Sequence, residues 1–140
     1  MPLNRSILLF LLLLFFGCNT EGQFSKVVDV DITGWSTPTE VRFTVEAAPQ
    51  RAELQLLFRC SELLSPDTIE LFITTKAPDG VLWSEPFTIC KVAAGASINI
   101  AEVPYRRNIE WSQQGEYSIT LQPLRLYEGI TSVGINMIYN

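Results

Sequence analysis

Three cysteines, Cys18, Cys60 and Cys90, are the side chains best suited to covalent chemistry in a chain of 140 residues that contains no histidine. Without imidazole there is no Ser-His-Asp or Cys-His nucleophile and no histidine-ligated zinc. Cys60 and Cys90 alone are too few for a thiolate metal site, and no glycine-rich phosphate loop occurs. Carboxylates offer little more. Asp29 and Asp31 lie two apart in an alternating segment, a spacing that fits a glycosidase-like pair and equally fits the wet face of a strand. Pro78-Asp79-Gly80 reads as a turn, because the remaining ligands of a calcium loop are missing. The sequence therefore predicts no enzyme, no cofactor, no metal site and no small-molecule substrate.

Cys18 has a distinctive setting. The uncharged apolar run Ile7–Phe16 is ten residues long, half of the roughly 20 needed to span a bilayer as a helix. Arg5 precedes it and Gly17-Cys18 ends it, the three-part form of a secretory signal. The junction resembles the lipobox of bacterial lipoproteins, which implies cleavage after Gly17 and a diacylglycerol thioether on Cys18. Residues 1–17 are then a signal peptide, 18–26 a lipidated N-terminus and tether, and 27–140 the domain. One acyl chain holds marginally, whereas two or three retain a protein durably.

The mature chain would have 123 residues, enough for one core. Loss of Arg5 takes the net charge from −5 to −6. The charges are scattered, so no cationic surface for nucleic acid or for anionic lipid is expected. Cys60 and Cys90, thirty positions apart, are a possible disulfide worth roughly 3–4 kcal/mol if formed. They are equally readable as two thiols that never meet.

What must position these groups is a set of short strands. Apolar residues alternate at Val28/Val30/Ile32, Val41/Phe43/Val45, Leu54/Leu56/Phe58, Ile69/Leu71/Ile73, Phe87/Ile89, Ile98/Ile100, Tyr117/Ile119/Leu121 and Val133/Ile135/Met137/Tyr139. Turn residues such as Gly, Pro, Ser and Asp fall between them, as in Gly34–Pro38, Ser65-Pro66-Asp67 and Pro78-Asp79-Gly80. Seven or eight strands with no helix to cover a sheet predict an all-β, antiparallel two-sheet sandwich of jelly-roll type. Residues 103–111 read as a loop or a short helix. Trp35, Trp83 and Trp111 fall near turns and are expected to cap the ends of the core with their indole N–H groups bonded at the rim; exposed together, they would stack on sugar rings instead.

The C-terminal third carries Gly115-x-Tyr117-x-Ile119, then Leu124-Arg125, then Leu126-x-x-Gly129-Ile130-x-x-Val133-Gly134-Ile135. This pattern resembles the ending of the GldH-type gliding motility lipoproteins of Bacteroidota. Cys18, Trp35, Val41-x-Phe43 and Phe58-Arg59 agree in order upstream, while Cys60–Asp67 departs from the family's Asn- and Tyr-rich stretch. The resemblance implies a non-enzymatic lipoprotein of the outer membrane, held by acyl chains on Cys18, and the absence of an acidic cluster directly after Cys18 points to the periplasmic side. Its partners would be other envelope proteins of the gliding or secretion apparatus. The alternative is a lipid-anchored carbohydrate-binding module of a glycan-uptake system.

Overall fold

The computed structural model describes residues 22–31, 33–61, 68–90 and 100–140. Eight strands follow in order: β1 Gln23–Asp29, β2 Thr39–Val45, β3 Gln50–Cys60, β4 Thr68–Lys76, β5 Leu82–Cys90, β6 Ile100–Trp111, β7 Gly115–Pro123 and β8 Ile130–Tyr139. They form two four-stranded antiparallel sheets, β1-β8-β3-β6 and β2-β7-β4-β5. This is the strand order of a jelly roll, so the all-β sandwich read from alternation is the observed architecture. Among the described residues no helix is long and apolar enough to cross a membrane.

Alternation builds the core. Leu54, Leu56 and Phe58 of β3, with Val133, Ile135 and Met137 of β8, face Val41 and Phe43 of β2, Leu71 and Ile73 of β4, and Ile119 and Leu121 of β7 across the gap between sheets. Each burial of such a side chain contributes about 1.5–3 kcal/mol. A knot of rings fills one end: Phe43 stacks on Tyr117 at 5.6 Å and meets Trp111 edge-on at 5.0 Å.

Two sequence expectations shift. Residues 103–111 are neither loop nor helix but most of β6, the longest strand. Two register shifts in its pairing with β3, between Ala52 and Leu54 and between Leu54 and Gln55, break the two-residue period, and Pro104 lowers the strand signal further. The first strand runs over Gln23–Asp29, so the stretch read as a tether already belongs to the sheet from Gln23 onward. Ile32 and Ile98, two of the alternating residues, lie outside the described residues, as does Cys18.

Two glycines near the end of the chain have definite tasks. Gly129, with φ of +89°, turns the chain into β8 in a conformation that costs other residues strain. Gly134 faces outward under β1: a Cβ there would stand 2.1 Å from the Lys26 carbonyl oxygen and 2.7 Å from the Val27 Cα. Backbone, not a flexible side chain, occupies that space, so Gly134→Ala must displace β1. The expected loss is about 2–4 kcal/mol, read as a fall of about 10 °C in the thermal unfolding midpoint; a midpoint within about 2 °C of the parent's would show that β1 does not sit against β8 in this way.

Candidate functional site

Odd-numbered strands begin, and even-numbered strands end, at one end of the sandwich, here the near end. Register places Gln23 beside Ile138, Gln50 beside Trp111, Val45 beside Gly115 and Lys76 beside Leu82 there. The near end therefore gathers the start of β1, the last residues of β8 and the β4–β5 hairpin. At the far end lie Asp29, Cys60, Cys90, Pro123 and the start of β8.

The hairpin is the one connection that joins neighbouring strands of the same sheet. Gly80 and Val81 close it: the Gly80 N–H donates to the Ala77 carbonyl, and the Ala77 N–H to the Val81 carbonyl, both at 2.9 Å. Asp79 holds it from inside, accepting from the Val81 N–H and from Gln113 Nε2, each at 3.0 Å. Those donors, the Val81 N–H first, lower the Asp79 pKa below its usual value. Pro78-Asp79-Gly80 is thus a turn, and Asp79 is committed to it. Directly after it, Val81, Leu82 and Trp83 are 57%, 61% and 41% exposed.

Across the near end, the gap between edge strands β1 and β2 opens into a groove of about 380 Å³ lined by Phe24, Val45, Ala47 and Tyr139, with Glu46 and Gln50 at its rim. The Tyr139 N–H donates to the Gly22 carbonyl at 2.9 Å, and burial, then the Glu46 charge, raises the Tyr139 phenol pKa.

The gap on the opposite side, between β5 and β6, is closed by side chains. Glu85 accepts from the Tyr105 hydroxyl and from Arg106 Nη2, while Phe87 meets the Tyr105 ring edge-on at 5.1 Å. The Tyr105 bond, against the cost of burial, lowers the Glu85 pKa. Burial, then the bond to Glu85, raises that of Tyr105. Arg106-Arg107 thereby resolves into one ion-paired arginine and one exposed neighbour.

The other candidates from the sequence separate. Asp29 accepts from Ser132 Oγ at 2.6 Å, and Asp31 from the Thr33 N–H and Oγ1 at 2.8 Å each. The pair is divided between a cross-strand bond and a local turn. Among the described residues no group of three or more acidic, cysteine or histidine side chains could hold a metal. Trp35 and Trp111 are core residues, 0% and 1% exposed, with indole donors to Thr39 Oγ1 and Met137 Sδ at 3.2 Å each. Trp83 is the one that differs. Cys60 is partly buried against the core and Cys90 is exposed, on strands of different sheets. Alternation with buried Ile89 turns Cys90 away from the interior, so the fold does not bring the two sulfurs together. The exposed apolar tip and the Glu85–Tyr105–Arg106 closure had no sequence signal: alternation marks which residues fit a strand, not which strand ends are left bare.

No family model matches the chain, and no curated protein does. Among solved structures it is similar to the insecticidal delta-endotoxin Cry8Ea1 of Bacillus thuringiensis, with 8% identity and a TM-score of 0.45 over 76% of this chain and 19% of that one. It is also similar to dimeric latent PorU of Porphyromonas gingivalis, with 11% identity and a TM-score of 0.39 over 84% of this chain and 12% of that one. The chain spans about a fifth or less of the length of each.

Two measurements check this geometry. Cys90 is expected to alkylate without prior reduction, by mass; labelling only after reduction would mean that Cys60 and Cys90 pair. Glu85 has a folded pKa below its usual 4.5, so its contribution is complete above that value and lost as pH falls through the folded pKa. Glu85→Gln is expected to cost about 1 kcal/mol at neutral pH, and the gap from the parent should shrink as acid protonates the parent's Glu85. A gap that stays constant into acid would deny the carboxylate this role.

Proposed function

We propose that this chain is a non-enzymatic lipoprotein, anchored through acyl chains on Cys18, that serves as an accessory component of the gliding machinery of the cell envelope. The carrying observation is positional. β1 starts at Gln23, five positions after Cys18, so an anchor on Cys18 would keep the near end of the sandwich at the lipid surface. A span of that length reaches at most about 18 Å. The resemblance of residues 115–138 to GldH-type proteins supports outer-membrane placement, and the lack of an acidic cluster directly after Cys18 supports the periplasmic side.

The site chemistry supports a role in holding rather than converting. Asp29 and Asp31, whose spacing fits a glycosidase-like pair, are engaged in a strand contact and a local turn. The glycan-binding alternative calls for two or three exposed, roughly coplanar rings; Trp35 and Trp111 are in the core, and the exposed rings Trp83 and Phe72 leave opposite faces of the β4–β5 pair, which favours an interaction role. The partners would be envelope proteins of the gliding or secretion apparatus.

Deletion of the gene, scored by single-cell gliding and colony spreading, is expected to abolish movement. Complementation with the parent should restore it and complementation with Cys18→Ala should not. Mass spectrometry of the mature N-terminus is expected to show acylated Cys18. Normal gliding in the deletion strain would remove the motility role, and an unmodified N-terminus would remove the anchor.

A further inference from the structure

The groove between edge strands β1 and β2 has a lining that selects by charge. No lysine or arginine lines it, and Glu46 is its one charged side chain. Among the described residues the Glu46 carboxylate makes neither an ion pair nor a hydrogen bond. The arginines of the adjoining strands are committed elsewhere, Arg51 to Glu110 at 3.5 Å and Arg42 to Glu40 at 2.6 Å. Lys26, two positions beyond Phe24 on β1, does not pair with Glu46 either.

The other polar groups of the groove are acceptors. Gln50 spends both amide hydrogens inside the fold, donating from Nε2 to the main-chain oxygens of Arg51 at 3.2 Å and Asn140 at 3.5 Å. Only its Oε1 is left to act on a ligand. The Tyr139 hydroxyl has no hydrogen-bond partner among the described residues, so its oxygen is also available. Gly22 makes room for the Tyr139 ring, since a Cβ there would stand 3.0 Å from the ring's Cδ2. Burial first, and the Glu46 charge second, raise the Tyr139 phenol pKa, which puts the carboxylate within electrostatic reach of that ring. Phe24, packed on the core, supplies a second ring.

A ligand for this lining must be cationic, must donate without needing to accept, and must carry an apolar stem. Lysine and arginine side chains meet all three requirements, and cations are attracted to aromatic faces as well. A volume of about 380 Å³ is at the small end for ligand sites and suits one side chain. The net charge of −5 on the chain favours the approach of a basic partner. We infer that the β1–β2 groove is the docking point for a basic side chain, lysine or arginine, presented by a partner polypeptide. Its cation sits against Glu46 and its stem lies along Phe24, Val45 and Tyr139. The inference rests on the interaction reading and gives that partner a chemistry; it requires no strand addition to β1 or β2.

The full chain, isotope-labelled and held in a nonionic detergent, is titrated with capped tripeptides carrying lysine, arginine or uncharged norleucine between two glycines, and with n-butylammonium. The lysine or the arginine peptide is expected to shift the amide resonances of Phe24, Glu46 and Tyr139 together. Norleucine should bind about tenfold more weakly, and Glu46→Gln should weaken the cationic peptides by about tenfold, the effect of losing one charged hydrogen bond. Glu46 is exposed, so Glu46→Gln is expected to keep the parent's unfolding midpoint. Equal binding of norleucine and basic peptides, unchanged affinity in Glu46→Gln, or no shift with any probe overturns the inference. n-Butylammonium binding as tightly as the peptides overturns the polypeptide as occupant in favour of a free amine. The titration is separate from the motility assay: normal gliding in the deletion strain removes the gliding role, while Glu46-dependent peptide binding still supports the groove.

Discussion

Trp35 and Tyr127 exchange both backbone hydrogen bonds, 3.0 Å one way and 2.9 Å the other, at the far end of the core, where neither side chain is more than 1% exposed. The bridge joins the β1–β2 connection to the β7–β8 connection. The Trp35 ring packs on Phe58 of β3 at 5.9 Å and on Tyr127 at 6.5 Å. The Tyr127 hydroxyl accepts the Glu70 N–H of β4 at 2.7 Å. Six of the seven connections in this chain pass from one sheet to the other, so the sheets are held in register by what ties those crossings together. An irregular backbone buried at that point would cost several kcal/mol if its polar groups went unpaired; pairing the two connections with each other removes the cost and fixes the sandwich at once.

The residues behind the GldH-type resemblance serve this same framework. Trp35 is half of the bridge, Tyr117 stacks in the core on Phe43, Gly129 turns the chain into β8, and Gly134 admits β1. Ile130, Val133 and Ile135 are buried. A pattern composed of such residues is a specification of architecture. Leu124, Arg125 and Leu126 are the members of the C-terminal pattern that stay exposed.

Legibility in the sequence followed the same division. Wherever one face of a strand is buried against the other sheet, a two-residue period was visible, as in β2, β4, β7 and β8. It failed in β6, where the register shifts opposite Leu54 interrupt alternation, and at the start of β1, where Lys26 takes an inward position between Phe24 and Val28. The pairing order of the strands had no local signal, because nearly every partner is distant in sequence: Gln23 hydrogen-bonds Asn136, and Asn136 in turn Gln55. That relay of amides across the outer face of one sheet was equally invisible as spacing. The tryptophans were located correctly near element ends, but burial separated them, since Trp35 and Trp111 close on the core while Trp83 sits on an outer strand.

The edges of the sheets narrow where a partner could bind. A bare edge strand invites another chain to add to it. Here β1 presents Lys26 inward, β5 contains Pro86 and β6 contains Pro104 with two register shifts, and β2 carries the Arg42–Glu40 ion pair at 2.6 Å, with Glu116 of β7 beside it. Each is a device that discourages strand addition. The Glu85–Tyr105–Arg106 cluster seals the side between β5 and β6 as well. The exposed large apolar side chains are Val27 on edge strand β1, Phe72 on the outer face of β4, Val81–Trp83 at and after the β4–β5 turn, and Leu124 with Leu126.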